Sequence, residues 1–144
     1  MIKIPKLSDK SIEKLDTCHP DIIAVMNEAI KYLDFSVTCG IRGEEAQTVA
    51  FREKKSKVEW PNSKHNKSPS QALDIAPYPI DFNDSNRMIY FAGALMMLAK
   101  LMKEGRIKDA SQISHEFRWG GDWDSDTQLK DQLFNDLWHF EIIE

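Results

Sequence analysis

The chain has 144 residues, of which 42% are hydrophobic, and its 19 basic and 23 acidic residues give a net charge of −4. This length and apolar content exclude a disordered chain and suffice for one domain with a hydrophobic core. The slight acidic excess argues against nucleic-acid binding, which usually needs a basic patch. No apolar run approaches the roughly 18 residues of a membrane span, and residues 1–7 lack the apolar segment of a secretory signal. We therefore expect a single, monomeric domain over residues 1–144, made in a cytosol and not inserted in a membrane.

The first part of the chain predicts two helices and a strand. A short helix over residues 8–15 has Ser8 as its N-cap, with Ser11 as the alternative. Pro20 suits the first turn of a second helix, because the N–H that proline lacks has no helical partner there. Residues 35–39 follow as a strand. The buried face of the second helix is marked by apolar residues at helical spacing, namely Ile22, Val25, Met26, Ala29, Ile30 and Leu33.

The middle of the chain predicts a helix, a loop and a strand. Residues 41–47 turn into a third helix that runs to about Lys54, and the polar stretch 54–67 is an exposed loop. Residues 72–76 form a second strand, which is apolar on both sides of Asp74.

The last part predicts one long helix and two strands. Asp84 or Ser85 caps the helix and Gly105 ends it, and strands follow at 117–121 and 138–142. Helices that precede or separate short strands predict an α+β fold with a small, largely antiparallel sheet and helices packed on it. The apolar face of the long helix comprises Met88, Phe91, Ala92, Leu95, Leu98, Ala99 and Met102.

Four residues have the chemistry of a catalytic zinc site. Asp74 and His139 each stand in an apolar strand, where a polar side chain is costly unless it is paired or binds a metal. His65 lies in the loop just before the strand of Asp74, and Asp136 stands three residues before His139. Catalytic zinc takes three ligands from such residues and keeps one position open. The residues alone leave open a solvated His65 and a hydrogen-bonded core His139.

The remaining cysteines and histidines predict no second site. Cys18 and Cys39 do not make a disulfide scaffold, and we expect both to be small buried residues. His19 and His115 have no partner at metal spacing, so we expect them to be structural or solvated.

The chain carries three short motifs in order, Ser63-x-His65, Ala72-x-Asp74 and Asp136-x-x-His139. Together they resemble the signature of the VanY-type zinc peptidases, and the segments 40–42 and 121–123 are similar to further landmarks of that family. The family includes D-Ala-D-Ala carboxypeptidases and dipeptidases and the L-alanyl-D-glutamate endopeptidases that serve as phage endolysins. The likeness is closest to the small endolysins and implies a fold of the Hedgehog/D-Ala-D-Ala-peptidase type.

The resemblance also implies roles for individual residues. His65, Asp74 and His139 would bind Zn²⁺, and Asp136 would move a proton from the attacking water to the leaving amine. Arg42 would stabilise the oxyanion, since its guanidinium is always charged and forks toward oxygen.

Three features qualify this assignment. Arg42 could instead form a surface ion pair with Glu44 or Glu45, and Ser63 could orient either the substrate or a ligand. The eight residues 66–73 make a longer loop than the family pattern has, without a glycine, which should change the rim of the cleft.

The resemblance implies an endolysin that cleaves the stem peptide of bacterial peptidoglycan between L-Ala and D-Glu. The alternatives are a D-Ala-D-Ala carboxypeptidase or dipeptidase and a non-catalytic, zinc-containing wall-binding domain. An endolysin without a signal peptide would accumulate in the host cytoplasm and reach the periplasm through a holin-type pore.

A calcium site is a separate hypothesis. Asp122, Asp124 and Asp126 alternate as the first ligands of a calcium loop do, but Thr127 and Leu133 stand where an EF-hand needs Gly and Glu. Calcium regulates some related endolysins in this region, so a Ca²⁺ site of another kind and a solvated acidic loop both stay open.

Overall fold

Four α-helices and a four-stranded sheet make up residues 3–132 and 135–144, the part of the chain that the computed structural model describes. The helices are α1 (Asp9–Leu15), α2 (Pro20–Ala29), α3 (Glu44–Arg52) and α4 (Ser85–Lys103), and a 3₁₀ helix covers Lys64–Asn66. The strands are β1 (Phe35–Cys39), β2 (Ala72–Pro77), β3 (Glu116–Trp119) and β4 (His139–Ile143).

The sheet has the order β1-β2-β4-β3, and every neighbouring pair is antiparallel. The last strand in the chain therefore lies between β2 and β3. In this register Asp74 is opposite His139, and Arg118 is opposite Glu141. The predicted α+β class with an antiparallel sheet is confirmed.

Alternation along the strands separates the core from the site. Successive side chains of a strand point to opposite faces of the sheet. Asp74, Arg118, His139 and Glu141 therefore share the face opposite the core. The strand residues that join the core are Phe35, Val37, Leu73, Ile75, Phe117, Trp119, Phe140 and Ile142.

The helix ends largely follow their capping residues. The Ser8 side chain accepts a hydrogen bond from the Ser11 amide, and that of Asp84 accepts one from Arg87, which confirms both N-caps. Gly105 follows α4 with a φ of 69°, a conformation that glycine adopts without a steric penalty. Within the described part of the chain, no helix combines the length and apolar character that a membrane crossing demands.

Three elements are shorter or shifted relative to prediction. The second helix ends at Ala29. Ile30 and Leu33, the last residues of its predicted buried face, lie in a turn in which the Leu33 amide donates to the Ala29 carbonyl. The third helix ends at Arg52 rather than Lys54, and Lys54 has a φ of 61°. Strand β3 stops at Trp119 because the chain turns at the two glycines that follow.

His19 and His115 are structural, but the expectation that they have no partner at metal spacing is wrong, since one ligand atom from each of them and from Asp21 lies within 4.8 Å of the others. Nδ1 of His115 lies 2.7 Å from Oδ2 of Asp21, and Nδ1 of His19 accepts a hydrogen bond from the Asp21 amide. The same Asp21 oxygen accepts from the amides of Ser114 and His115. These bonds tie the start of α2 to the segment before β3, a contact between residues 94 positions apart that no local pattern reveals.

Candidate metal centre

Three of the predicted site residues converge on one point. Nε2 of His65 lies 3.2 Å from Oδ1 of Asp74 and 3.2 Å from Nδ1 of His139. Nδ1 of His139 lies 3.2 Å from the same Asp74 oxygen. Asp74 and His139 meet because they are register partners on β2 and β4, and the 3₁₀ helix brings His65 to them.

The spacing of these three atoms fits a tetrahedral metal ion. Zinc bonds to nitrogen and oxygen of about 2.0–2.1 Å at tetrahedral angles keep the ligand atoms roughly 3.3 Å apart. The observed separations of 3.2 Å agree with that value. Two imidazoles and one carboxylate form a donor set that zinc accepts, and it leaves a fourth position for water.

Hydrogen bonds on the outer side of each ring orient the two imidazoles. Nδ1 of His65 lies 2.7 Å from the Gly40 carbonyl, which can only accept, so this nitrogen carries the proton. Nε2 of His139 lies 2.8 Å from Oε1 of Glu141. The lone pairs of the other two nitrogens are thereby directed at the centre, as in metal sites where a carbonyl or carboxylate holds each ligand.

Electrostatics at the centre favour positive charge. Burial works to raise the pKa of Asp74, but the hydrogen bonds with His139 and His65 outweigh it and hold that pKa far below its usual value. Burial likewise opposes the charged form of His65, yet the bonds with Asp74 and Cys39 raise its pKa to about 10. A divalent cation bound at the centre would supply positive charge at this place.

Glu141 is a site residue that the sequence analysis missed. Its carboxylate is buried, lies 2.7 Å from Nη2 of Arg118 and 3.5 Å from Nζ of Lys64, and also bonds His139. Burial raises its pKa, but the bonds with His139 and Arg118 lower it to about 2. Its position two residues after His139 on a strand places it on the same face, and that spacing could have identified it.

Arg42 lies beside the centre. Its Nη2 is 3.6 Å from Oδ2 of Asp74, and its Nη1 donates to Oε1 of Gln47 at 3.0 Å. The guanidinium is mostly buried, with 16% of the side chain exposed. The partner of Arg42 is therefore Asp74, rather than Glu44 or Glu45 as in the alternative drawn from the sequence.

Asp136 lies at the wall of the same cleft and is half-buried. Its amide donates to the Gly120 carbonyl at 2.9 Å, and its carbonyl accepts from the His139 amide at 3.2 Å. A Cβ at Gly120 would lie 2.1 Å from the Asp136 carbonyl oxygen, so only glycine permits this approach. Burial, and then the neighbouring charge of Asp74, raises the pKa of Asp136, which favours proton uptake.

Ser63 and Cys39 surround His65. The Ser63 hydroxyl accepts from the His65 amide at 3.2 Å and caps the 3₁₀ helix, so it orients the backbone of the ligand segment. Cys39 is half-buried rather than buried as expected, and it lies at the end of β1 where the pairing register with β2 shifts between Val37 and Cys39. Its Sγ lies 3.8 Å from Nδ1 of His65, on the side of the ring away from the centre.

A cleft of about 1080 Å³ runs over the convergent residues. A cleft of this size can hold a ligand of several residues. Its walls differ in character, with Lys54 and Lys64 as basic lining residues and Phe82, Trp123 and Trp138 as aromatic ones.

The three aspartates of the calcium hypothesis lie in one turn after β3. Asp122 Oδ1 accepts from the Asp126 amide at 3.1 Å, and its Oδ2 accepts from the Thr127 amide at 2.9 Å. One carboxylate oxygen from each of Asp122, Asp124 and Asp126 lies within 4.8 Å of the others. Leu133, the position compared with the EF-hand Glu, lies outside the described residues.

Comparison with known proteins gives a family match and a structural match. A family model described as phage L-alanyl-D-glutamate peptidase matches residues 4–143. The fold is similar to the crystal structure of the Serratia marcescens L-Ala D-Glu endopeptidase ChiX, with a TM-score of 0.68 and 23% identity over 96% of this chain and 90% of that chain. No curated protein sequence matches the chain.

Proposed function

Because the chain belongs to the phage L-alanyl-D-glutamate peptidase family, we propose that His65, Asp74 and His139 hold a catalytic Zn²⁺ for that reaction. The enzyme is an endolysin-type endopeptidase of peptidoglycan, and its bond is the one between L-Ala and D-Glu. The family favours this activity over the D-Ala-D-Ala carboxypeptidase and over the non-catalytic wall-binding domain. The observation that supports the metal site is the set of three mutual separations of 3.2 Å.

The proposed roles follow from where each group lies. A zinc ion in this centre would polarise the scissile carbonyl and lower the pKa of an attacking water. Asp136 takes a proton from that water and delivers it to the D-Glu nitrogen as the C–N bond breaks, so that L-Ala gains a carboxyl group and D-Glu an amine. A carboxylate with a raised pKa suits both halves of this transfer.

Arg42 is proposed to stabilise the carbonyl oxygen as it gains negative charge. Its guanidinium lies within 3.6 Å of a carboxylate oxygen of Asp74 and is held by Gln47, so it is oriented before substrate binds. Ser63 is proposed to position His65 rather than substrate, since its hydroxyl is used by the His65 amide.

Further expectations about the protein rest on the sequence. We propose one catalytic domain for residues 1–144, in line with the family match over residues 4–143. A monomeric state, and passage from the host cytoplasm to the wall through a holin-type pore, stay predictions. Ca²⁺ at Asp122, Asp124 and Asp126 also stays a prediction.

Substitution of Asp136 tests the proposal. We expect Asp136→Ala to keep its zinc, because Asp136 is not a proposed ligand, and to lose peptidoglycan hydrolysis by about 10²–10⁴-fold, the usual range for a general acid–base group. Zinc content by elemental analysis and muropeptide products by mass spectrometry give the two readouts. Asp9→Asn, at an exposed position of α1, is the control. Undiminished hydrolysis by Asp136→Ala would rule out the proposed role.

A further inference from the structure

The cleft has two chemically different ends, and the sheet register places them on opposite sides of the centre. The Trp138 carbonyl accepts from the Ile75 amide, so Trp138 lies toward the end of β2 that finishes at Pro77. Lys64 lies toward the other end, because its Nζ contacts Glu141, whose register partner is Ala72.

The first end is aromatic. The rings of Phe82 and Trp138 meet edge to face, with centroids 5.0 Å apart and an interplanar angle of 82°. Both line the cleft, and Phe82 is 57% exposed. An exposed aromatic ring held against a second ring offers a rigid apolar surface to a ligand.

The second end is basic. Arg42 follows β1, whose last residue Cys39 pairs with Asp74, and it bonds Gln47 of α3. The side-chain Nε2 of Gln47 donates to the Val58 carbonyl, which holds the segment that contains Lys54 beside α3. Lys64 lines the cleft at this end, and Lys54 is a further basic lining residue.

The two sides of the scissile bond in the substrate differ in the same way as the two ends of the cleft. In peptidoglycan the amino group of L-Ala is acylated by the lactyl group of N-acetylmuramic acid, so one residue and one lactyl ether separate the sugar ring from the bond, roughly 7 Å of extended chain. On the other side, D-Glu and the residues beyond it carry carboxylates. The faces of a pyranose ring present C–H groups that pack against aromatic rings, while carboxylates are attracted to lysine and arginine.

We propose that Phe82 and Trp138 form a subsite for the muramoyl sugar, and that the basic end binds the carboxylates of the peptide. This inference rests on the proposed centre at His65, Asp74 and His139, because that centre fixes where the scissile carbonyl lies between the two ends. The subsite makes the enzyme prefer glycan-linked stem peptides over free peptides.

Two substrates and one substitution test the sugar subsite. We compare kcat/KM for a disaccharide-linked stem peptide with that for the same peptide without sugar. Phe82→Ala is expected to lower the value for the glycan-linked substrate by about three- to tenfold, the range that one aromatic contact provides, and to leave the free peptide within about twofold. Phe82→Trp should restore the preference because it keeps an aromatic ring.

Tyr90→Ala is the matched control, since Tyr90 is an exposed aromatic residue of α4 that does not line the cleft. Equal losses on both substrates, or no loss on either, would overturn the sugar subsite while hydrolysis by the wild type would still support the peptidase. Failure of the wild type to cleave either substrate would instead overturn the proposed centre, and the subsite with it.

Discussion

Replacing Glu141 by Gln should weaken zinc binding without removing a ligand. Oε1 of Glu141 lies 2.8 Å from Nε2 of His139, and both side chains are only 8% exposed. Gln keeps a neutral acceptor of nearly the same size, so the substitution removes mainly the charge. The pKa of Glu141 is about 2, so the carboxylate is ionised throughout the neutral range and the effect should not vary between about pH 6 and 8.

The expected loss follows from the contacts of this carboxylate. A charge-assisted hydrogen bond contributes about 1.5–3 kcal/mol and a neutral one about 0.5–1.5 kcal/mol. The midpoints of these ranges differ by about 1.25 kcal/mol, which corresponds to roughly eightfold weaker zinc binding. Arg118 and Lys64 would then leave uncompensated positive charge near the cation, which pushes the loss toward the hundredfold known for such supporting residues.

Competition with a chromogenic chelator measures the zinc affinity of the wild type and of Glu141→Gln. Thermal unfolding of the metal-free proteins shows separately whether the variant is folded. Glu116→Gln is the control, because Glu116 is on β3 with a side chain that is 63% exposed. Equal zinc affinity in a folded Glu141→Gln and in the wild type would refute the argument that this carboxylate sets the tautomer and basicity of His139.

Two other predictions concern Arg42 and the acidic turn. Arg42→Lys keeps the charge but loses the planar fork that bonds Gln47, so kcat should fall by about 10²-fold or more while the zinc content stays unchanged. Steady-state kinetics together with metal analysis would check this. Full activity of Arg42→Lys would exclude an oxyanion role. If the turn of Asp122, Asp124 and Asp126 holds Ca²⁺, calorimetric titration of the wild type with Ca²⁺ should show one binding site, and Asp124→Asn should weaken it. Absence of binding heat in the wild type would identify the turn as a solvated acidic loop.

Much of the site was accessible from local pattern. Asp74 and His139 were recognisable as polar residues in apolar strands, and both lie on β2 and β4 as predicted. Strand alternation also suffices to place Glu141 on the face of His139, because the two residues are two positions apart on β4. Capping by Ser8 and Asp84 depends on neighbours within three residues, which is why those helix starts could be predicted.

Other features depend on contacts between distant parts of the chain. The pairing of Asp74 with His139 joins strands 65 residues apart, and the bond between His65 and the Gly40 carbonyl spans 25 residues. From the sequence, Glu44 and Glu45 were possible ion-pair partners of Arg42, but the structure pairs Arg42 with Asp74.

The sequence by itself determined which residues form strands and which ligand types they carry, because those depend on side-chain pattern and local backbone preference. Only the tertiary structure decided the strand order, the register and therefore the 3.2 Å separations at the centre. The physical reason is that strand register depends on how the whole sheet packs against its helices. Residues adjacent in the sequence do not by themselves determine how distant segments pack.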